Sequence, residues 1–467
     1  MRLQVREVGS VERLTALDLM SIWPEQRGWS NDIGTVAILD GRSLLDAEGR
    51  IPIEVVREKI GRRLHLVPRF HQLLYRPKRG LGWPLWVDAP AVDLTEHIGI
   101  LPLGAHADET DLLLACEELR HRRLSFSRPL WAMTFLPGLS DKRVGLFIKV
   151  HHAIADGVSG IATLGAFLDM VPDLPQQEAP PWTPGPTPTS GELFVDNLHR
   201  GLDKLGRTLT TVVHPARTME KVRRSLPALR ETFADGRAPR TSLNAHAIGS
   251  HRRLGLLQTN LGLAKRIAHA NGAKVNDVLV TVLAGGLREL LLNRGEGVDG
   301  VVLRAAVPVS LHRSRPGTPR GNQDGMMVVP LPIGIADDHR RLQVIAAETL
   351  ERKKKPRPQG GVLFRNATIQ RGFLHLLARQ RLMNTYAANV AGPPDQLCFA
   401  GAPLLELFPV VPISGNVSIG IGALSYAGKL NITAVADHDL VQDFGVLVDG
   451  MRNSLRALER AVVVTAG

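Results

Sequence analysis

Cysteine is nearly absent: 467 residues contain only Cys116 and Cys398, far apart and outside any metal-ligand spacing. That scarcity argues against a disulfide framework and suits a reducing compartment. Long apolar runs are missing as well. The opening MRLQVREVGSVERLTALDLM has no hydrophobic stretch behind its basic residues and makes a poor signal peptide. Nowhere do the roughly 20 uninterrupted apolar residues of a membrane span occur. The expectation is a cytoplasmic, non-spanning protein. Aromatics are few, at 4%, and 45 acidic residues face 57 lysines and arginines. No zinc-finger, basic-zipper or RNA-recognition pattern accompanies the net charge of +12, so nucleic acid is not an expected partner. An anionic lipid surface or a phosphorylated small molecule fits that charge better.

The hydrophobic fraction of 44% is that of a globular protein, and the length exceeds one ordinary core. Two lobes of similar size are expected. The clearest break is the proline-rich VPDLPQQEAPPWTPGPTPTS at 171–190. It sets an N-terminal lobe over 1–180, a proline-rich and helical linker over 181–243, and a C-terminal lobe over 244–467. Each lobe mixes strands and helices, an α/β (α+β) class. IGTVAILD reads as a first strand. IPIEVVREKIGRRLHLV reads as a helix ending near Pro68, and residues 107–124 as another. VNDVLVTVLAGGLRELLLNRG reads as a buried helix. ERKKKPRPQGG reads as a basic loop, and VSIGIGALSYAGKLNITAVAD as a hairpin split at Ala427-Gly428.

The sharpest chemical feature stands at the end of a short buried strand, VGLFIKV, followed by His151-His152-Ala-Ile-Ala-Asp156-Gly157. Imidazole titrates near neutrality, so it can take a proton from an alcohol and return one to a leaving group. A strand end holds it rigidly, and the Gly-containing loop lets substrate approach backbone N–H groups able to hold an oxyanion. Asp156 could orient the ring or lock the loop through a cation. Adjacent strand residues point to opposite faces, so one histidine alone can face a given cleft, and a shared metal site is disfavoured. A lone histidine on an apolar strand is commonly a satisfied core residue. The pair followed by Asp-Gly shifts the balance. No G-x-S-x-G elbow or phosphate loop competes.

HHAIADG resembles the HHxxxDG motif of the CoA-dependent acyltransferase superfamily, which includes chloramphenicol acetyltransferases and peptide-synthetase condensation domains. Further matches resemble one branch, the bacterial wax ester synthase/diacylglycerol acyltransferase family. They are LTALDLM at 14–20, Pro129-Leu130-Trp131, Asn276-Asp277-Val278, Pro308-Val309-Ser310, Gly321-Asn322 and the tail SYAGKLNITAVADHDLVQD. In this order they span nearly the whole chain. The residues themselves allow plainer roles: Trp131 as a core anchor, Asn276 as the N-cap of its helix.

The resemblance implies a two-lobed chloramphenicol-acetyltransferase-like fold with a tunnel between the lobes. It implies His152 as general base, with His151, Asp156 and Gly157 completing the motif. Pro129, Leu130, Trp131, Asn276 and Asp277 become substrate-binding or structural candidates. Acyl-CoA enters as substrate rather than cofactor, a lipid alcohol is the acceptor, and no metal is called for. Where related sequences carry an arginine to pair with the motif aspartate, this chain has His71 after Arg69, leaving both as candidate partners of Asp156. The expected activity is esterification of diacylglycerol or a long-chain alcohol at an anionic membrane or lipid-droplet surface. The rivals are a carrier-protein-dependent acyltransferase and a non-catalytic lipid-surface protein. The basic stretches Met219–Arg230 and Arg352-Lys353-Lys354-Lys355 are the expected docking elements.

Overall fold

The computed structural model describes residues 12–154, 163–171, 179–213, 236–310, 324–354, 372 and 376–464. The strands are β1 (Asp32–Asp40), β2 (Gln72–Tyr75), β3 (Leu85–Asp88), β4 (Ile98–Ile100), β5 (Trp131–Leu139), β6 (Arg143–His151), β7 (Leu168–Asp169) and β8 (Arg252–Asn260). They continue with β9 (Val302–Ser310), β10 (Asp324–Pro332), β11 (Thr385–Ala391), β12 (Cys398–Phe399), β13 (Ala402–Val410), β14 (Ile419–Tyr426) and β15 (Lys429–Asp437). The helices are α1 (Ala16–Ile22), α2 (Ile53–Gly61), α3 (Glu109–His121), α4 (Ser190–Val213), α5 (Leu261–Ala270), α6 (Val275–Asn293), α7 (Asp338–Lys354) and α8 (Phe444–Val464).

Two large mixed sheets carry the architecture, as the α/β expectation requires. The first runs β4-β5-β6-β1-β13-β12-β7 and the second β10-β9-β11-β14-β15-β8. β2 and β3 form a separate hairpin. β6 is buried along eight of its nine residues, which fits an apolar, branched strand with neighbours on both edges. Its partner β1 pairs on the other side with β13, with Thr35 opposite Ile148 and opposite Pro409. A strand from the last quarter of the chain is thus built into the first sheet. Tyr426 and Asn431 of the second sheet fasten it, donating to the Leu404 and Leu407 carbonyls, each at 2.9 Å.

α3 covers one face of the first sheet, with Leu112 and Cys116 against Val36 and Phe147. Its start is set by a capping box between Asp108 and Asp111. On the second sheet α6 is the central helix, buried from Asp277 through Leu287. It crosses α8 where a Cβ on Gly286 would come within 2.7 Å of the Leu447 carbonyl. The β14–β15 turn places Ala427 at φ 46° and Gly428 at φ 77°, the left-handed pair that a two-residue hairpin needs.

Two expectations need correction. The helix read up to Pro68 stops at Gly61, and two 3-10 turns follow, at Leu64–Leu66 and Pro68–His71. Pro68 holds Val67 out of the helical region, at ψ 81°. The segment beginning Glu351-Arg352-Lys353-Lys354, read as loop, is the last turn of α7. Cations suit the negative end of the helix dipole, and Lys354 pairs with Glu351 at 2.6 Å. Lys355, Met219–Arg230 and Gly321-Asn322 lie outside the described residues. No described helix is long and apolar enough to cross a membrane.

Candidate active site

β6 delivers its two histidines to a turn held from both sides. The His151 N–H donates to the Leu130 carbonyl at 3.0 Å and the His152 N–H to the Asn31 carbonyl at 3.1 Å. Strand alternation then separates the rings. The half-buried His152 lines an apolar cavity walled by Ile33, Thr35, Met133 and Val150 of the first sheet and Tyr386, Ala388 and Leu424 of the second. A Cβ on Gly34, also in this wall, would stand 3.0 Å from the Val410 Cβ and 3.3 Å from the Phe147 ring, so a side chain there would crowd the strand packing.

His151 turns away from that cavity and is fully buried. Its Nδ1 accepts the Ala153 N–H at 3.0 Å, which leaves the proton on Nε2, 3.0 Å from Glu25 Oε1. Glu25 sits in the 3-10 turn Trp23–Arg27. Phe126 meets the same ring edge-on at 5.8 Å. Nearby, Lys149 Nζ donates to the Leu119 carbonyl at 3.0 Å and to that of Arg122, at the C-terminal end of α3. It also lies 3.9 Å from Asp32 Oδ2. Burial draws the Lys149 pKa down, and the Asp32 carboxylate opposes that shift. Among the described residues, Glu25, Asp32 and His151 bring ligand-type atoms within 4.8 Å of one another. Glu25 accepts the Nε2 proton, and Asp32 Oδ2 accepts the Ser30 hydroxyl at 2.8 Å beside the Lys149 ammonium.

The other candidates frame the site without lining it. Trp131 is stacked between Phe70, at 4.7 Å, and His97, at 4.3 Å, and its Nε1 donates to the Phe70 carbonyl at 3.1 Å. Phe70 in turn lines the cavity. Trp131 is thus the core anchor behind the wall. Leu130 is wholly buried and supplies the carbonyl that holds His151, while Pro129 accepts the Trp131 N–H at 2.9 Å.

Asn276 is not the cap of its helix. α6 begins at Val275, two residues earlier than an Asn276 cap requires, and the cap position falls on Lys274. The carboxylate of Asp277 reaches back to the Lys274 N–H at 2.8 Å. Desolvation raises the Asp277 pKa. Neither residue reaches the cavity.

Asp156 and Gly157 lie outside the described residues. Of the two candidate partners, Arg69 donates to Gln72 Oε1 at 2.6 Å and pairs with Glu12. His71 is buried against Trp182, with ring centres 4.2 Å apart, and burial pushes its pKa down. Glu25 was missed in the sequence because 126 positions separate it from His151. Tyr386 was missed because no local pattern links it to the histidines.

Two mixed sheets joined by a strand from one half inserted in the other, with a histidine at a strand end facing the cavity between them, make up the two-lobed arrangement that the sequence resemblance implied. The solved wax ester synthase/diacylglycerol acyltransferase from Marinobacter aquaeolei shares it at a TM-score of 0.69, with 22% identity over 97% of this chain and 99% of that one. A starter condensation domain of rhizomide synthetase, solved with C8-CoA, matches at 0.55 and 14% identity over 97% and 95%. The wax ester synthase/diacylglycerol acyltransferase catalytic-domain model matches residues 14–279, and the WS/DGAT C-terminal-domain model matches 320–459. A Mycobacterium tuberculosis protein carrying the name of a diacylglycerol O-acyltransferase is 30% identical over 97% of this chain and 96% of its own length. This chain belongs to the wax ester synthase/diacylglycerol acyltransferase family, and it is an acyltransferase.

Proposed function

We propose that this acyltransferase esterifies diacylglycerol, a long-chain alcohol or both with the acyl group of acyl-CoA, using His152 as general base. The observation that carries the reading is the position of His152, at a rigid strand end and on the wall of an apolar cavity between the sheets. An alkyl chain in such a cavity sheds water, and the imidazole is the group beside it able to act as a base near neutral pH. His152 takes the hydroxyl proton as the oxygen attacks the thioester carbon. The tetrahedral intermediate then expels CoA thiolate, which recovers the proton. The thioester supplies the activation, so the reaction calls for neither ATP nor metal.

The names of the relatives support diacylglycerol as acceptor, and that of the Marinobacter protein supports wax ester synthesis as well. The water-insoluble acceptor and the net charge of +12 support work at an anionic membrane or lipid-droplet surface. Purified protein incubated with labelled palmitoyl-CoA and a panel of alcohols should yield ester resolved by thin-layer chromatography. His152→Ala should lose roughly 10²–10⁴-fold of that turnover while melting close to wild type. Full turnover by a soluble His152→Ala variant would overturn the role. Turnover of acyl-carrier-protein thioesters but not acyl-CoA would overturn the donor.

A further inference from the structure

The helix that follows the proline-rich segment is docked by one side only. α4 starts with a capping box in which Glu192 accepts the Thr189 N–H at 2.7 Å. Leu193 is buried against Leu85 and Val87. Arg13 reaches Asp196 Oδ2 at 2.5 Å and the Leu193 carbonyl at 3.1 Å, and Asn197 donates to the Gly80 carbonyl at 2.9 Å. The other side is apolar and open: Phe194 is 57% exposed, Leu198 51% and Leu202 56%. These residues repeat every four, a single stripe on a helix. The helical backbone continues to Val213. At 1.5 Å per residue α4 is about 36 Å long.

The exposed run of Phe194, Leu198 and Leu202 along one helix face needs a partner. The hairpin that holds α4 says which kind. Its turn, between β2 and β3, presents Lys78 and Arg79 exposed, and Trp83 is 38% exposed. The Trp83 carbonyl is bound by the same Arg13 that grips α4, which puts this turn directly beside the helix. An apolar stripe flanked by basic side chains and an amphipathic aromatic matches an anionic lipid surface, where alkyl groups enter the acyl boundary and cations stay at the headgroups. A second copy of the chain would instead bring +12 against +12.

We infer that the Phe194–Leu198–Leu202 face of α4, with Lys78, Arg79 and Trp83 beside it, seats the enzyme on an anionic lipid surface. The inference rests on the proposed function for the reason the enzyme needs lipid: its acceptor resides there.

The test is co-sedimentation with phosphatidylcholine vesicles, with and without phosphatidylglycerol, across a range of salt. Wild type should bind the anionic vesicles. The triple variant Phe194→Gln, Leu198→Gln, Leu202→Gln should lose binding at least about ten-fold at every salt concentration. Its melting should not change, because the stripe is exposed. Lys78→Gln with Arg79→Gln should weaken binding chiefly at low salt. Turnover of a water-soluble short-chain alcohol should be equal in wild type and triple variant, whereas turnover of diacylglycerol in vesicles should fall in the variant. Equal vesicle binding by wild type and triple variant would overturn the proposal. So would a wild-type dimer that the triple variant dissolves. If no alcohol is esterified but the vesicle contrast persists, the docking surface stands and the proposed acceptor chemistry fails.

Discussion

Glu25 hydrogen-bonds the imidazole of His151, and the two rings of the pair share one turn. Glu25→Ala would strand a buried N–H, a loss of about 1–3 kcal/mol, and loosen the turn that aims His152. The expected outcome is lower kcat with KM little changed, and Glu25→Gln, whose amide oxygen still accepts, should restore most of it. Steady-state kinetics of both variants decide this, and equal kcat in wild type and Glu25→Ala would refute it. His97 gives a pH signature. Burial pushes its pKa below the ordinary value of 6.5, against the upward pull of its hydrogen bond to the Trp131 carbonyl. In the window just below pH 6.5 the unfolded chain therefore binds more protons, and stability falls as pH falls. Urea titrations across that window should show wild type losing stability relative to His97→Gln, with the difference constant above it.

The crossing of α6 and α8 depends on small residues. Alanine normally gains up to about 1 kcal/mol over glycine in a helix interior. At Gly286 the new methyl would meet the Met451 Cγ at 2.4 Å and the Leu447 carbonyl at 2.7 Å, and a backbone carbonyl cannot swing aside. Overpacking then wins, and Gly286→Ala should lower stability by about 1–3 kcal/mol in denaturant titration. Gly445→Ala, in the first turn of α8 with nothing within 4 Å, should be neutral or mildly stabilising. The elements most legible in the sequence were those whose signal is local. The β14–β15 hairpin shows as a split at Ala427-Gly428, and α6 as a wholly apolar period. Alternation along β6 also anticipated that one histidine alone would face the cavity. What stayed hidden depends on partners far along the chain. The Glu25 clamp and the pairing of β1 with β13 leave no periodic trace. The end of α7 reads as loop in the sequence because its charges look solvated until the helix dipole and the Glu351–Lys354 pair are considered.

At the scale of the whole molecule, the cavity belongs to neither half. Its second wall comes from β11 and β14, and the first sheet is completed by β13. A fragment ending at residue 243 would expose the β1 edge, a row of unpaired N–H and carbonyl groups prone to pairing with other chains. Such a fragment should aggregate when produced alone. Production together with 244–467 should recover soluble, active enzyme, read by size-exclusion chromatography and ester formation.

The insertion of β13 also sets a schedule. On the ribosome the histidine-bearing strand emerges early, but its neighbour β1 has one empty edge until residues 402–410 are made. The cavity therefore cannot close before residues 402–410 are made, and a chain broken off ahead of them carries the motif without its chamber. The strand at 402–410 is thus a structural condition on the histidine-bearing half, which cannot enclose its cavity without it.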